Sequence, residues 1–134
     1  MATPKMKMIL VYVTAPSKEV AMNLARSLTT NEVQNTKLFY RTTVSESLVA
    51  CANVIPGVTS VYKWKGNIEE DQEHIVVMKT VEDNTERLSE RVRSLHPAET
   101  PCFVTLPIER ATSDFADWII SSTKNDKMLS SKTQ

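Results

Sequence analysis

Ser60 to Thr80 reads SVYKWKGNIEEDQEHIVVMKT, and its alternation decides the fold. Ser60, Tyr62 and Trp64 share one face by the two-residue period of a strand, while Val61, Lys63 and Lys65 share the other. Gly66-Asn67 supplies a turn. The return strand, placed at about Glu70 to Thr80, sets Ile75, Val77 and Lys79 on one side and His74, Val76 and Met78 on the other. At about 3.4 Å per residue this strand extends ~37 Å, whereas a domain of this length has a radius of gyration near ~14 Å. The hairpin is therefore as long as the domain. Its tip carries Tyr62 and Trp64 past the helices that cover the sheet, where one chain cannot bury them. Such an edge needs a partner, and self-association into a closed ring meets that need most simply. The two aromatics accordingly read first as interface or core packing and second as a stacking surface for a ligand.

Upstream of the hairpin, Leu48 to Ile55 is strand-like, and Pro56-Gly57 bends or bulges the strand before it resumes at Val58. Met8 to Val13 is apolar and β-branched without a polar break, as in a central strand buried on both faces. Pro16 suits the first turn of a helix, Glu19 favours its positive end, and Val20, Leu24 and Leu28 mark one face. Between them, Thr29 to Ser47 is rich in Thr, Asn and Ser but includes Leu38, Phe39 and Tyr40, and reads as a partly packed insertion. Downstream, Asp83 with Glu86 resembles a capping box, and Leu88, Val92 and Leu95 form the stripe of a second helix ended by His96-Pro97. A short strand, Cys102 to Ile108, is expected to alternate into the core. Ser113 is placed as the cap of a last helix with Phe115, Trp118 and Ile119 on one face. The order βαββαβ plus a terminal helix is the α+β, ferredoxin-like pattern. One domain is expected over 1–123, with 29–47 inserted in it and a polar tail over 124–134 that frays.

Lysine plus arginine equals aspartate plus glutamate in these 134 residues, so no excess positive charge drives binding to phosphate backbones and no nucleic-acid partner is expected. No apolar run is long enough to cross a bilayer, so direct membrane insertion is not expected. The N-terminus lacks the apolar stretch of a secretory signal, which points to a cytoplasmic protein with free thiols at Cys51 and Cys102. Two glycines in total leave no Gly-rich phosphate loop. Neither cysteine sits in a local thiol-hydrolase signature, and in the split βαβ order their strands fall at opposite edges of the sheet, so no catalytic constellation is apparent. Cys51 reads as a buried, inert thiol, and Asn53 as a donor or acceptor for backbone or an interface. His96 reads as a helix-end residue bonded to the last carbonyls. Glu69, Glu70, Asp71 and Glu73 read as a solvated acidic edge rather than a cation site.

Val13-Thr14-Ala15-Pro16-Ser17, Leu48 to Gly57 (LVACANVIPG), Ser60 to Gly66 (SVYKWKG), Glu73 with Lys79-Thr80, His96-Pro97, Leu106-Pro107-Ile108 and Asp117-Trp118 resemble the successive landmarks of CutA proteins. The resemblance spans most of the chain in the right order. It implies a ferredoxin-like homotrimer, similar in architecture to the PII signalling proteins, associated with tolerance of copper and other divalent metals. No reaction and no required cofactor come with it. It further implies an intersubunit cleft or interface that includes Asn53, Tyr62, Trp64, Glu73, Lys79 and Trp118. Soft ligands favour copper over calcium or magnesium, so His96 and Cys102, with Cys51 as a further thiol, are the candidate metal ligands. The chain departs from the family in three places. Thr29–Ser47 lengthens the passage from first helix to second strand. Val13 and Leu95 stand where some bacterial members carry a cysteine and a second histidine. Ala98 and Cys102 replace a tyrosine and a glutamate. Copper binding is therefore expected to be weak. A PII-like regulatory or scaffold trimer, taking a small effector or a protein in its intersubunit clefts, is the alternative.

Overall fold

A computed structural model of the chain describes residues 6–29 and 47–123. The expected insertion falls almost wholly outside those residues, including Leu38, Phe39 and Tyr40, and the expected tail over 124–134 falls outside them entirely. Four strands form one antiparallel sheet: β1 (Met8–Ala15), β2 (Cys51–Trp64), β3 (Asn67–Val81) and β4 (Phe103–Pro107), in the order β2-β3-β1-β4. Helix α1 (Lys18–Thr29) links β1 to β2, α2 (Thr85–Leu95) links β3 to β4, and α3 (Ser113–Ser122) follows β4. This is the expected ferredoxin-like order, with Cys51 on one edge strand and Cys102 leading into the other.

The central strand β1 alternates strictly between buried and half-buried residues, so within one chain it is buried on one face rather than on both. Ile9, Val11, Val13 and Ala15 are buried with Val76 and Met78 of β3 beneath Leu24 and Leu28 of α1 and Leu88 and Val92 of α2. Helix α1 begins at Lys18 rather than Pro16 because Ser17 caps it, its Oγ accepting the Val20 N–H at 3.2 Å. Residues Leu48 and Val49 close the core, held by Val49 N–H donating to the Leu28 carbonyl at 3.0 Å.

The register of β2 against β3 shifts between Ile55 and Val58, and Gly57 there has φ +77°, so Pro56-Gly57 is a bulge inside one long strand, as expected. The hairpin turn is Lys65-Gly66, with φ of 50° and 86°, one residue earlier than Gly66-Asn67. A two-residue turn needs positive φ at both positions, and Asn67 already pairs with Trp64.

Three local expectations are corrected. The Asp83/Glu86 capping box does not form, because Glu82–Asn84 is a 3-10 turn and the Asn84 side chain is committed to the core. Strand β4 reaches the core only at Phe103: Val104 and Leu106 are 50% and 49% exposed, because their pairing with Tyr12 and Leu10 puts them on the sheet face away from α1 and α2. Helix α3 starts at Ser113 with Thr112 as its cap residue, and Phe115 and Trp118 are exposed while Ala116 and Ile119 are buried. Helix α3 packs on β3 and β1.

Candidate functional site

The β1–β3 ladder ends at Ala15 against His74, so Asn67–Glu73 of β3 runs beyond the sheet, still paired with Val58–Trp64 of β2. At about 3.4 Å per residue this overhang is ~24 Å long. Cross-strand pairs share a face, which puts Ser60, Tyr62 and Trp64 on the side of the hairpin that carries Glu69, Asp71 and Glu73. Helix α2 ends at His96, and the chain turns past the end of β1 to reach β4. Hairpin, β1 end and this loop enclose an open cleft of about 480 Å³, lined by Tyr12 and Thr14, by Tyr62, Trp64 and Glu73, and by residues of the loop from His96 to Cys102.

His96 fastens the loop. Its Nδ1 accepts the Ala98 N–H at 3.1 Å, which leaves Nε2 to carry the proton and donate to the Thr14 carbonyl at 2.7 Å. The ring therefore bonds to the end of β1 rather than to the last carbonyls of its own helix, where only its backbone N–H reaches, donating to Val92 O at 2.9 Å. Either nitrogen would have to give up a hydrogen bond before it could hold a metal ion.

On the opposite wall the Tyr62 hydroxyl donates to Asp71. That hydrogen bond, some desolvation, and the charges of Asp71, Glu69 and Glu73 push the phenol up to about 12 from its ordinary 10.0. The Lys65 ammonium lies 5.5 Å from the centroid of the Trp64 ring but does not line the cleft.

The remaining residues singled out from the sequence lie elsewhere. Cys51 pairs with Lys79 across β2 and β3, and the Lys79 ammonium donates to Asn53 Oδ1 at 2.8 Å and to Cys51 Sγ at 3.6 Å. Cys51 is half-buried, and Asn53 serves this side-chain cluster within the chain. Trp118 stacks on Phe115, ring centroids 5.4 Å apart, on α3. The structure thus brings His96, Cys102, Tyr62, Trp64 and Glu73 to one cleft, places Cys51, Asn53 and Lys79 together on the sheet, and leaves Trp118 apart from both. Among the described residues no three His, Cys, Asp or Glu side chains converge as a metal site would require.

Tyr12 and Glu99 also line the cleft and were not singled out. Tyr12 interrupts an otherwise aliphatic and β-branched strand, a signal that was legible. The Tyr62–Asp71 bond is a diagonal cross-strand pair, and it becomes visible only once the register is known.

The family model described as CutA1 divalent ion tolerance protein matches residues 27–122. The divalent-cation tolerance protein CutA of Thermus thermophilus is 38% identical over 113 residues, covering 84% of this chain and 95% of that protein. A solved structure of the Thermus thermophilus Cut A1 protein superposes with a TM-score of 0.74 at 36% identity, covering 87% of this chain and 98% of that one. The chloroplastic CutA protein of Arabidopsis thaliana is 34% identical across 87% of this chain, which spans 56% of that relative's length. The structure of the periplasmic divalent cation tolerance protein CutA from Archaeoglobus fulgidus matches with a TM-score of 0.73 at 30% identity, covering 87% and 99%. These last two overturn the cytoplasmic location expected from the N-terminus, because location varies between branches with this fold. Among the described residues no helix is long and apolar enough to cross a membrane.

Proposed function

The chain belongs to the CutA1 divalent ion tolerance protein family, and on that premise we propose that it is a non-catalytic homotrimer serving divalent-cation tolerance, with copper or another divalent cation as a weak ligand at His96 and Cys102. The observation that carries this reading is the sheet face turned away from α1 and α2. Ile55, Val104 and Leu106 lie on it at 44%, 50% and 49% exposure, and the overhanging hairpin continues it with Tyr62 and Trp64. Edge strands β2 and β4 each have one neighbour within the chain. An exposed face between two free edges, apolar except at the Cys51, Asn53 and Lys79 cluster, is what a second and third copy would cover, and ring closure would leave no edge to propagate.

The proposed metal binding rests on the cleft. His96 and Cys102 line it together, with Glu73 across from them, whereas Cys51 stands on the far edge strand. Thiolate and imidazole favour copper, but two such ligands leave a tetrahedral site incomplete, and His96 must first release Thr14 or Ala98. Water or a neighbouring protomer would supply the other positions.

Light scattering should give three times the chain mass at micromolar protein, and Leu106→Glu, which places a charge on the uncovered face, should lower it. A monodisperse wild-type monomer would refute the trimer. Copper calorimetry on the reduced protein should show weak binding that falls about tenfold in His96→Ala and in Cys102→Ser. Tight binding that survives both substitutions would refute the assignment of ligands.

A further inference from the structure

We propose that the Ala98 N–H and a metal ion compete for the single lone pair of the His96 ring, so that metal binding releases the loop over residues 97–101 while the ring stays fixed to the end of β1. The inference rests on the reading of His96 as a weak metal ligand and adds to it a conformational response. Both hydrogen bonds it turns on lie within one chain and use no residue of the hairpin, so it holds alike for a monomer and for a ring.

A neutral imidazole offers one lone pair, and a metal ion needs it. With Nε2 carrying the proton, that lone pair is on Nδ1, where the Ala98 N–H already donates at 3.1 Å. The two bonds of the ring are unequal. The β1–β4 ladder stops at Val13 against Phe103, and one residue further along β1 the Thr14 carbonyl takes the Nε2–H at 2.7 Å. Thr14 is half-buried in a strand that is still paired with β3, whereas Ala98 is exposed in a bend. The Ala98 bond is thus the longer of the two and the one that water can replace.

Metal-bound histidines commonly donate the other ring N–H to a backbone carbonyl or a carboxylate, which fixes tautomer and ring orientation. His96 makes that bond to Thr14 with no ion present. Coordination at Nδ1 keeps it and displaces only Ala98. Coordination at Nε2 would strip the Thr14 carbonyl and move the ring proton to Nδ1, where it would face the Ala98 N–H, one donor against another. The geometry therefore selects Nδ1. Residues 97–101 separate His96 from Cys102, the second proposed ligand, and Cys102 adjoins Phe103, which is paired with Val13. Movement falls on the loop between the two. Pro97 and Pro101 restrict φ at its ends, so the freedom lies in residues 98–100, all of them exposed.

The test is nitrogen NMR and amide exchange on the reduced full-length protein, labelled at histidine and alanine, with and without copper(I), a diamagnetic ion suited to thiolate and imidazole. With the ion, the His96 Nδ1 resonance should move and the Nε2–H should persist, while the Ala98 amide exchanges about tenfold faster. Ala98→Pro removes the competing N–H and should tighten copper(I) binding about tenfold, whereas Ala98→Gly keeps the N–H in a more pliable loop and should bind as the wild type does. Coordination at Nε2, an Ala98 amide equally protected with and without the ion, or equal affinities in wild type, Ala98→Pro and Ala98→Gly would overturn this inference and leave His96 a ligand. Equal tightening in both variants would overturn it too, because loop pliancy and not the N–H would then be the cause. Copper(I) that leaves both His96 nitrogens unmoved, or that does not bind at millimolar concentration, overturns the metal reading itself and this inference with it.

Discussion

Removing Thr80 Oγ1 and the Asn84 amide together should destabilise the protein by more than the sum of the two separate changes. Both groups serve one acceptor, the Leu48 carbonyl, where the chain re-enters the core before β2. Thr80 Oγ1 donates to it at 2.6 Å and Asn84 Nδ2 at 3.2 Å, and Nδ2 also lies 3.3 Å from Thr80 Oγ1. Thr80, Asn84 and Leu48 are 0%, 2% and 4% exposed, so water does not substitute. Thr80→Val keeps the shape and leaves the Asn84 amide on the carbonyl, at a cost of about 1 kcal/mol, the net value of one hydrogen bond. Asn84→Ala leaves the Thr80 hydroxyl in place, opens a small void and removes the acceptor of the Arg87 Nη2 bond, for about 2 kcal/mol. The double variant strips the carbonyl of both side-chain donors, and an unsatisfied buried acceptor costs about 1–3 kcal/mol in its own right. The double variant should therefore fall about 1–2 kcal/mol below the additive sum. Urea unfolding followed by circular dichroism at one fixed protomer concentration measures this, since any assembly makes stability concentration-dependent. Additivity to within about 0.3 kcal/mol would refute the shared-acceptor argument.

The Tyr62 phenol should ionise near pH 12 rather than 10, read as the 295 nm absorbance lost in Tyr62→Phe, and Asp71→Asn should bring the step down. Because its folded value is raised, Tyr62 contributes stability that is fully present below pH ~10 and is lost as pH climbs through ~12; stability at high pH that is the same in wild type and Tyr62→Phe would contradict this. Gly57→Ala should cost about 1 kcal/mol through φ +77° alone, since nothing lies within 4 Å of an added Cβ, and Gly57→Asn should cost less because Asn tolerates positive φ. Leu24→Ala, at a fully buried position of α1, should cost about 2–5 kcal/mol by thermal or urea unfolding. Nitrogen NMR of His96 should show the Nε2–H tautomer; the Nδ1–H form would contradict the Ala98 contact.

The sequence by itself determined the element order, the long hairpin and the two faces of the sheet. Those features rest on short-range periodicity: alternation in Tyr62/Trp64 and Val76/Met78, helical spacing in Val20/Leu24/Leu28, and the bulge at Pro56-Gly57. Through the family resemblance it also brought forward His96 with Cys102 as candidate ligands and Tyr62, Trp64 and Glu73 as part of a cleft, though not all five as one site. Only the tertiary structure decided what depends on which groups meet across the chain. The Asp83/Glu86 cap was a sound local pattern that lost to Asn84, because a buried amide that reaches Leu48 from 36 positions away outweighs an exposed cap. Strand β4 read as alternating into the core by its apolar content, and Phe115, Trp118 and Ile119 as one face of the last helix, but apolar content does not say which side a neighbour occupies: Val104, Leu106, Phe115 and Trp118 are exposed while Ile119 is buried. His96 was read against its own helix and is held instead by Thr14, 82 residues earlier. Local pattern fixes secondary structure because its causes lie within a few residues; the partner of a polar side chain is set by register and packing, which no window of the sequence contains.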